Sequence, residues 1–178
     1  MREALLFAAA VSCFVGVAWR GVSQGDETQE AEALARAEAQ ALVAGEQRDK
    51  AFATWSAGET VLPRSADGHF YADVAVNGTS ANFLVDTGAS MVALTGADAR
   101  AAGLHWDDAD VREVARGASG PVYGVPIMLD RVVLDQHEAT NVSGVIVPEG
   151  LGISLLGQSY LQTISPVRIE SEEMILGG

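Results

Sequence analysis

Apolar and polar positions follow three different patterns along this chain, and the changes divide it into three stretches. The first is unbroken: Ala4 to Trp19 is apolar throughout, and Arg20 ends the run. A spanning helix needs about 20 apolar residues, with about 17 as the lower edge. The run therefore predicts a membrane anchor over residues 1–22 if Trp19 sits at the interface and Arg20 reaches out to the headgroups. Two other readings stay open. A cleaved signal peptide wants a small-residue site, and Arg20-Gly21-Val22-Ser23 is a poor one. A lipoprotein signal would use Ala10-Val11-Ser12-Cys13, although the apolar run continues past that cysteine.

The second stretch, residues 23–58, has no apolar period. Asp26 to Ala53 is rich in Ala, Glu and Gln, with no proline and one glycine, Gly45. Such a composition predicts a solvated helix, with Glu32 and Arg36 as an i,i+4 ion pair. Large apolar side chains are too sparse to build a core. Leu34 and Leu42 do not continue a heptad, so the stretch reads as an acidic linker, with a coiled-coil stalk as the sharper alternative.

In the third stretch, residues 59–178, the period becomes two. Phe70, Ala72, Val74 and Val76 alternate with Tyr71, Asp73 and Ala75, which predicts a strand with one buried face. Asn77-Gly78 follows as a hairpin turn. Further strands are predicted over 80–85, 91–94, 111–114, 122–129, 131–134, 142–147, 167–170 and 174–176. Thr95 has the features of a helix N-cap, with Asp98 three residues on and Gly103 as the stop, so a short helix is expected over Gly96 to Ala102. Many short strands with one or two short helices predict an all-β domain, a closed barrel or a sandwich.

Charge narrows the partners. The 178 residues carry a formal net charge of −13 and no basic run, which argues against nucleic acid. Cys13 is the only cysteine, so neither an intramolecular disulfide nor a thiolate zinc site can form. His69, His105 and His137 lack metal-ligand spacing and read as surface positions, so no metal and no cofactor is expected. There is no P-loop, no dinucleotide fingerprint and no Gly-x-Ser-x-Gly.

One segment carries chemistry: Phe83-Leu84-Val85-Asp86-Thr87-Gly88-Ala89-Ser90. Asp-Thr-Gly alone is ordinary turn composition. Here, however, three apolar residues would carry Asp86 toward the interior, where an unpaired carboxylate is costly, and no helix pattern starts at Thr87 for it to cap. Leu84-Val85-Asp86-Thr87-Gly88-Ala89-Ser90 resembles the active-site signature of retropepsin-like aspartic proteases. Leu155-Leu156-Gly157, followed by a helix-like Gln158 to Thr163, resembles their second hallmark. The likeness spans His69 to Leu176 and is nearest to the bacterial membrane-anchored, single-domain members of that clan.

The resemblance implies a retropepsin-like β domain acting as an aspartic endopeptidase on peptides or proteins. Asp86 would be catalytic, Thr87 would bond across a dimer, Gly88 would let its amide approach the carboxylates, and Ala89 and Ser90 would complete the loop. Leu155, Leu156 and Gly157 would pack beneath it. Residues 114–125, with Gly117, Gly120 and Tyr123, would form a flap, although Tyr123 reads more readily as a sheet aromatic than as a substrate contact and Pro121 and Pro126 each remove a ladder donor. The chemistry needs two carboxylates and the chain has one Asp-Thr-Gly, so a homodimer is required. Met174-Ile175-Leu176 is the candidate interface strand. An N-terminal anchor would make the protein single-pass, with the domain outside the cytoplasm, in the periplasm of a Gram-negative host. The rival readings are a catalytically inactive, dimeric binding or scaffold module of the same fold, and an unrelated β-barrel binding protein.

Overall fold

The structure, a computed structural model, describes the backbone of residues 3–117 and 120–178, and side chains for residue 29, residues 31–117 and residues 120–178. Contacts divide the chain into two units, Met1–Phe52 and Ala53–Gly178. Helix α1 covers Glu3–Ser56. Arg36 pairs with Glu32 at 3.2 Å, and Leu34 and Leu42 are exposed, as a solvated helix requires. Among the described residues no helix is long and apolar enough to cross a membrane. The anchor expected over 1–22 lies outside the residues whose side chains are described.

The second unit is built from strands β1 (Thr60–Pro63), β2 (Tyr71–Val76), β3 (Thr79–Val85), β4 (Val92–Thr95), β5 (Arg112–Gly117), β6 (Gly120–Leu134), β7 (His137–Val147), β8 (Ser154–Leu156), β9 (Val167–Glu170) and β10 (Glu173–Leu176). Two short helices, α2 (Gly96–Ala101) and α3 (Gln158–Leu161), and a 3-10 turn at Asp108–Asp110 complete it. Seven strands form one sheet in the order β2-β3-β8-β4-β7-β6-β5, and β2 also pairs with β6. That extra pairing, Ala75 opposite Val133 and Val76 opposite Val132, closes the sheet into a barrel. Strand β5 stays outside the closure, as one arm of a hairpin with β6.

Local chemistry explains the elements. Phe70, Ala72, Val74 and Val76 are all buried, so the two-residue period marks the core face. Asn77 and Gly78 both take positive φ, 50° and 89°, which a two-residue turn joining twisted strands demands. Thr95 caps α2, its hydroxyl accepting from the Asp98 amide. Asp98 in turn accepts from Ser154, a fully buried residue, at 2.5 Å, which links α2 to β8.

Four expectations are corrected. Residues 122–134 form one strand rather than two: Asp130 does not break β6, because it points outward from an otherwise continuous ladder. Pro121 and Pro126 lie inside β6 opposite Arg116 and Val145, since each residue of an antiparallel ladder offers its N–H to one side only. Strands β1 and β8 exist although neither has a strong strand pattern. Finally, β10 is not an open edge. It is the middle strand of a second sheet, β1-β10-β9, with Met174 and Leu176 buried.

Candidate active site

Strand β3 ends at Val85, which is buried, and Asp86 follows half-buried. The backbone sets its position. Strand β8 pairs in parallel with β3, Val85 opposite Leu156, and the Asp86 N–H continues that ladder by donating to the Leu156 carbonyl at 3.1 Å. The chain then folds back so that the N–H groups of Gly88 and Ala89 donate to Asp86 Oδ1 at 2.9 and 3.2 Å. These two donors orient the carboxylate. Asp86 Oδ2 accepts no hydrogen bond from a described residue. A Cβ on Gly88 would stand 3.2 Å from Oδ1, so the tight turn suits glycine. The carboxylate is not carried into the core, because Thr87 and Gly88 are exposed and open its loop to the surface.

The Leu155-Leu156-Gly157 segment lies directly under this loop. Leu155 is opposite Leu84 on one side and Ala93 on the other, which inserts β8 between β3 and β4. Gly157 is buried, and a Cβ there would overlap the Met91 carbonyl and approach the Ala89 carbonyl to 2.9 Å. Only a residue without a side chain lets the two segments approach this closely.

Helix α3 fastens the loop from below. Gln158 N–H donates to the Ala89 carbonyl at 2.8 Å, and Ser159 N–H to the Ser90 carbonyl at 3.1 Å. Two side chains not singled out from the sequence also take part. The Gln158 amide donates to the Thr87 carbonyl at 2.8 Å. Ser159 Oγ accepts from Val92 N–H at 3.0 Å and donates to the Ser143 carbonyl at 2.6 Å. Their position, immediately after the hydrophobic-Gly segment, was the available signal. Ser90 meets α3 through its carbonyl, and its side chain is exposed; the Thr87 hydroxyl has no partner among the described residues.

Deeper still, Tyr160 is fully buried, accepts from Leu134 N–H at 3.0 Å and donates to the His137 carbonyl at 2.7 Å. Burial pushes its hydroxyl up to about 12. His137 departs from a surface position, because its Nε2 is buried without a hydrogen-bond partner, close against Gly177. His69 is exposed beside Asp67, and His105 is exposed. Among the described residues no three His, Cys, Asp or Glu side chains are grouped to hold a metal.

Above the loop stands the β5–β6 hairpin. Gly117 is opposite Gly120, and they are the last pair before its turn. A cavity of about 350 Å3 separates the hairpin from the loop, lined by Gly88, Ala89, Ser90, Ala93, Val122 and Leu155 among others. Gly117 and Gly120 also line an adjoining cavity of about 560 Å3 with Tyr123, whose ring is 54% exposed. Tyr123 is a sheet aromatic, opposite Glu113 in the β5–β6 hairpin, and it is exposed. The structure brings Gly88, Ala89, Ser90, Gly117 and Leu155 around one apolar cleft, while Leu156 and Gly157 support the Asp86 loop from beneath.

Comparisons with known proteins agree with this geometry. The family model described as "gag-polyprotein putative aspartyl protease" matches residues 72–163, which include both motifs. An uncharacterized protein of Rickettsia prowazekii (strain Madrid E) is 39% identical over 124 residues, covering 68% of this chain and 53% of its own length. An uncharacterized protein of a Sinorhizobium species, from the region 5′ of cobV, is 33% identical over 119 residues, covering 66% and 51%. The chain thus spans about half the length of these curated relatives. The crystal structure of a retropepsin-like aspartic protease from Rickettsia conorii is 36% identical, covers 66% of this chain and 88% of its own, and superposes with a TM-score of 0.56. With the Asp86 loop, the glycine-tight support beneath it and these matches together, the chain belongs to the retropepsin-like aspartic protease family.

Proposed function

We propose that the protein is an aspartic endopeptidase whose active site forms between Asp86 of two copies of the chain. The observation that carries this is the state of the Asp86 carboxylate: Oδ1 is held by two backbone N–H groups and no described residue donates to Oδ2, while Gly88, Ala89 and Ser90 of the same loop line an apolar cleft. One chain supplies half of the chemistry. Two carboxylates brought together share one proton, because like charges about 3 Å apart do not both ionise. The ionised one takes a proton from a bound water, and the protonated one polarises the carbonyl of the peptide bond. Water adds to the carbonyl carbon, and collapse of the tetrahedral species breaks the C–N bond as the amine takes a proton. Thr87, whose hydroxyl has no partner among the described residues, would bond across the two-fold axis and hold the loops in register.

The test is Asp86→Asn, which changes both members of the dyad at once. Peptide-library hydrolysis should fall to background with the melting temperature nearly unchanged. Substantial turnover by the purified variant would refute the assignment, and a folded wild-type dimer that cuts nothing would favour a binding or scaffold module. The N-terminal run as a single-pass anchor, with the domain in the periplasm, is proposed with it. Retention of the full chain in carbonate-washed membranes is the supporting result, and a mature protein beginning near Gly21 would instead mark a cleaved signal.

A further inference from the structure

Two cavities adjoin under the β5–β6 hairpin, and they differ in charge. The inner one, beside Gly88 and Ala89, is walled by apolar residues, and its one charged lining residue, Arg116, is already paired with Glu113 at 3.0 Å. The outer one shares Val122, Val147 and Leu151 with it and extends to Tyr123 and Glu149. Glu149 is the only charged residue among the described residues that line this outer cavity. It is exposed on the turn after β7, and no described residue gives it a hydrogen bond or an ion pair. Ala118 and Ser119, between the two glycines of the hairpin, add no charge.

A ligand spanning both cavities meets an apolar wall first and one unpaired carboxylate beyond it. That arrangement fits a long side chain with an apolar stem and a cationic end. The stem would lie along Val122 and Leu151, which line both cavities, and the charge would reach the Glu149 carboxylate in the outer one. We propose that the outer cavity is a specificity subsite in which Glu149 selects a Lys or Arg side chain of the peptide, while the inner cavity takes a neighbouring aliphatic one. This rests on the peptidase reading above. Acidic residues in that subsite are rejected by repulsion, and the overall negative charge of the chain reinforces the bias.

The experiment uses the full chain, wild type and with Glu149→Gln or Glu149→Lys, on peptides that place Lys, Gln or Glu at each position around a cleaved bond. Wild type should favour Lys over Glu at one position by about fivefold in kcat/KM, the scale of an exposed ion pair. The preference should shrink at high salt, fall toward unity in Glu149→Gln and invert in Glu149→Lys. Cleavage with the same charge preference in all three proteins overturns the subsite and leaves the peptidase reading standing. Should no peptide be cut, the peptidase reading fails by itself, and binding of fluorescently labelled versions of these peptides to Asp86→Asn decides the subsite. Charge-ordered binding that Glu149→Lys inverts upholds it; binding indifferent to charge, or none, overturns it.

Discussion

The side-chain amide of Gln158 donates to the carbonyl oxygen of Thr87 at 2.8 Å, tying the first residue of α3 to the middle of the Asp86 loop. Gln158 is only half-buried, so this bond matters less to folding than to where the loop sits. Gln158→Ala should lower kcat by about three- to tenfold, since a neutral hydrogen bond is worth about 1 kcal/mol and about 1.4 kcal/mol is tenfold in rate. KM and melting temperature should hardly move. Gln158→Glu, which keeps the length but offers no donor, should resemble Ala. A variant with unchanged kcat would remove Gln158 from loop positioning.

Gly157 and Met91 make a stronger prediction. A methyl group at 157 would overlap backbone atoms of Met91 and press on Ala89, and backbone cannot swing aside as a side-chain end can. Gly157→Ala should therefore destabilise the domain by about 3 kcal/mol, the upper end of the usual cost of overpacking a tight core, and abolish activity. Gly152→Ala is the control: nothing lies within 4 Å of its Cβ and its backbone is not in the left-handed region. Calorimetry on the pair decides it, and equal melting temperatures would mean that the loop relaxes without strain.

These two residues show where sequence reasoning reached and where it stopped. The face of β2, the Asn77-Gly78 turn and the Thr95 cap were legible because each is set by residues within one turn or one strand. Strand β8 was not: it has three residues, and its pairing partners are β3, ending at Val85, and β4 around Ala93, far away in the chain. Its strand character comes from where it is inserted, not from its own pattern. Asp86 was legible through its apolar approach and the Thr87-Gly88 that follows. Gln158, Ser159 and Glu149 were not, because their partners are backbone carbonyls or a cavity assembled from distant segments. Strand β10 showed as the apolar run Met174-Ile175-Leu176, but not that both of its edges are covered.

Tyr160 sets a stability limit at alkaline pH. Its hydroxyl is pushed up to about 12 by burial, while in the unfolded chain it titrates near 10. A raised folded value means that its contribution is fully present below about pH 10 and is lost as pH rises toward about 12, at most about 2–3 kcal/mol. Tyr160→Phe should remove that part of the pH dependence. It should also cost about 1–3 kcal/mol at neutral pH, because Leu134 N–H loses its buried acceptor. The difference between the two urea-unfolding curves across pH 8 to about 12 isolates this group from exposed Tyr123. Parallel curves would show that Tyr160 ionises no differently in the two states.

The last prediction concerns where a second copy docks. In the sheet β1-β10-β9, Met174 is opposite Ile169 and Leu176 is opposite Val167, so these four side chains share one face. Under β10 that face is covered, with Met174 2% and Leu176 0% exposed. At β9 it runs past the end of the core, leaving Val167 36% and Ile169 55% exposed on an edge strand. Proteins normally break up an exposed apolar edge of this kind with charge, proline or a bulge, unless a partner covers it. Fully burying a side chain of this size is worth about 1.5–3 kcal/mol, and the half-exposed Ile169 can still supply roughly half of that from each copy. Ile169→Lys should therefore leave the melting temperature of the domain nearly unchanged, shift sedimentation toward the monomer, and make specific activity fall steeply on dilution. Removing residues 172–178 should do something different: it takes out the middle strand and should unfold the sheet rather than merely separate two copies. If Ile169→Lys sediments and cleaves as wild type does, the interface lies elsewhere. If a monomer keeps full activity in strict proportion to concentration, no second Asp86 is needed and the shared-proton mechanism falls with it.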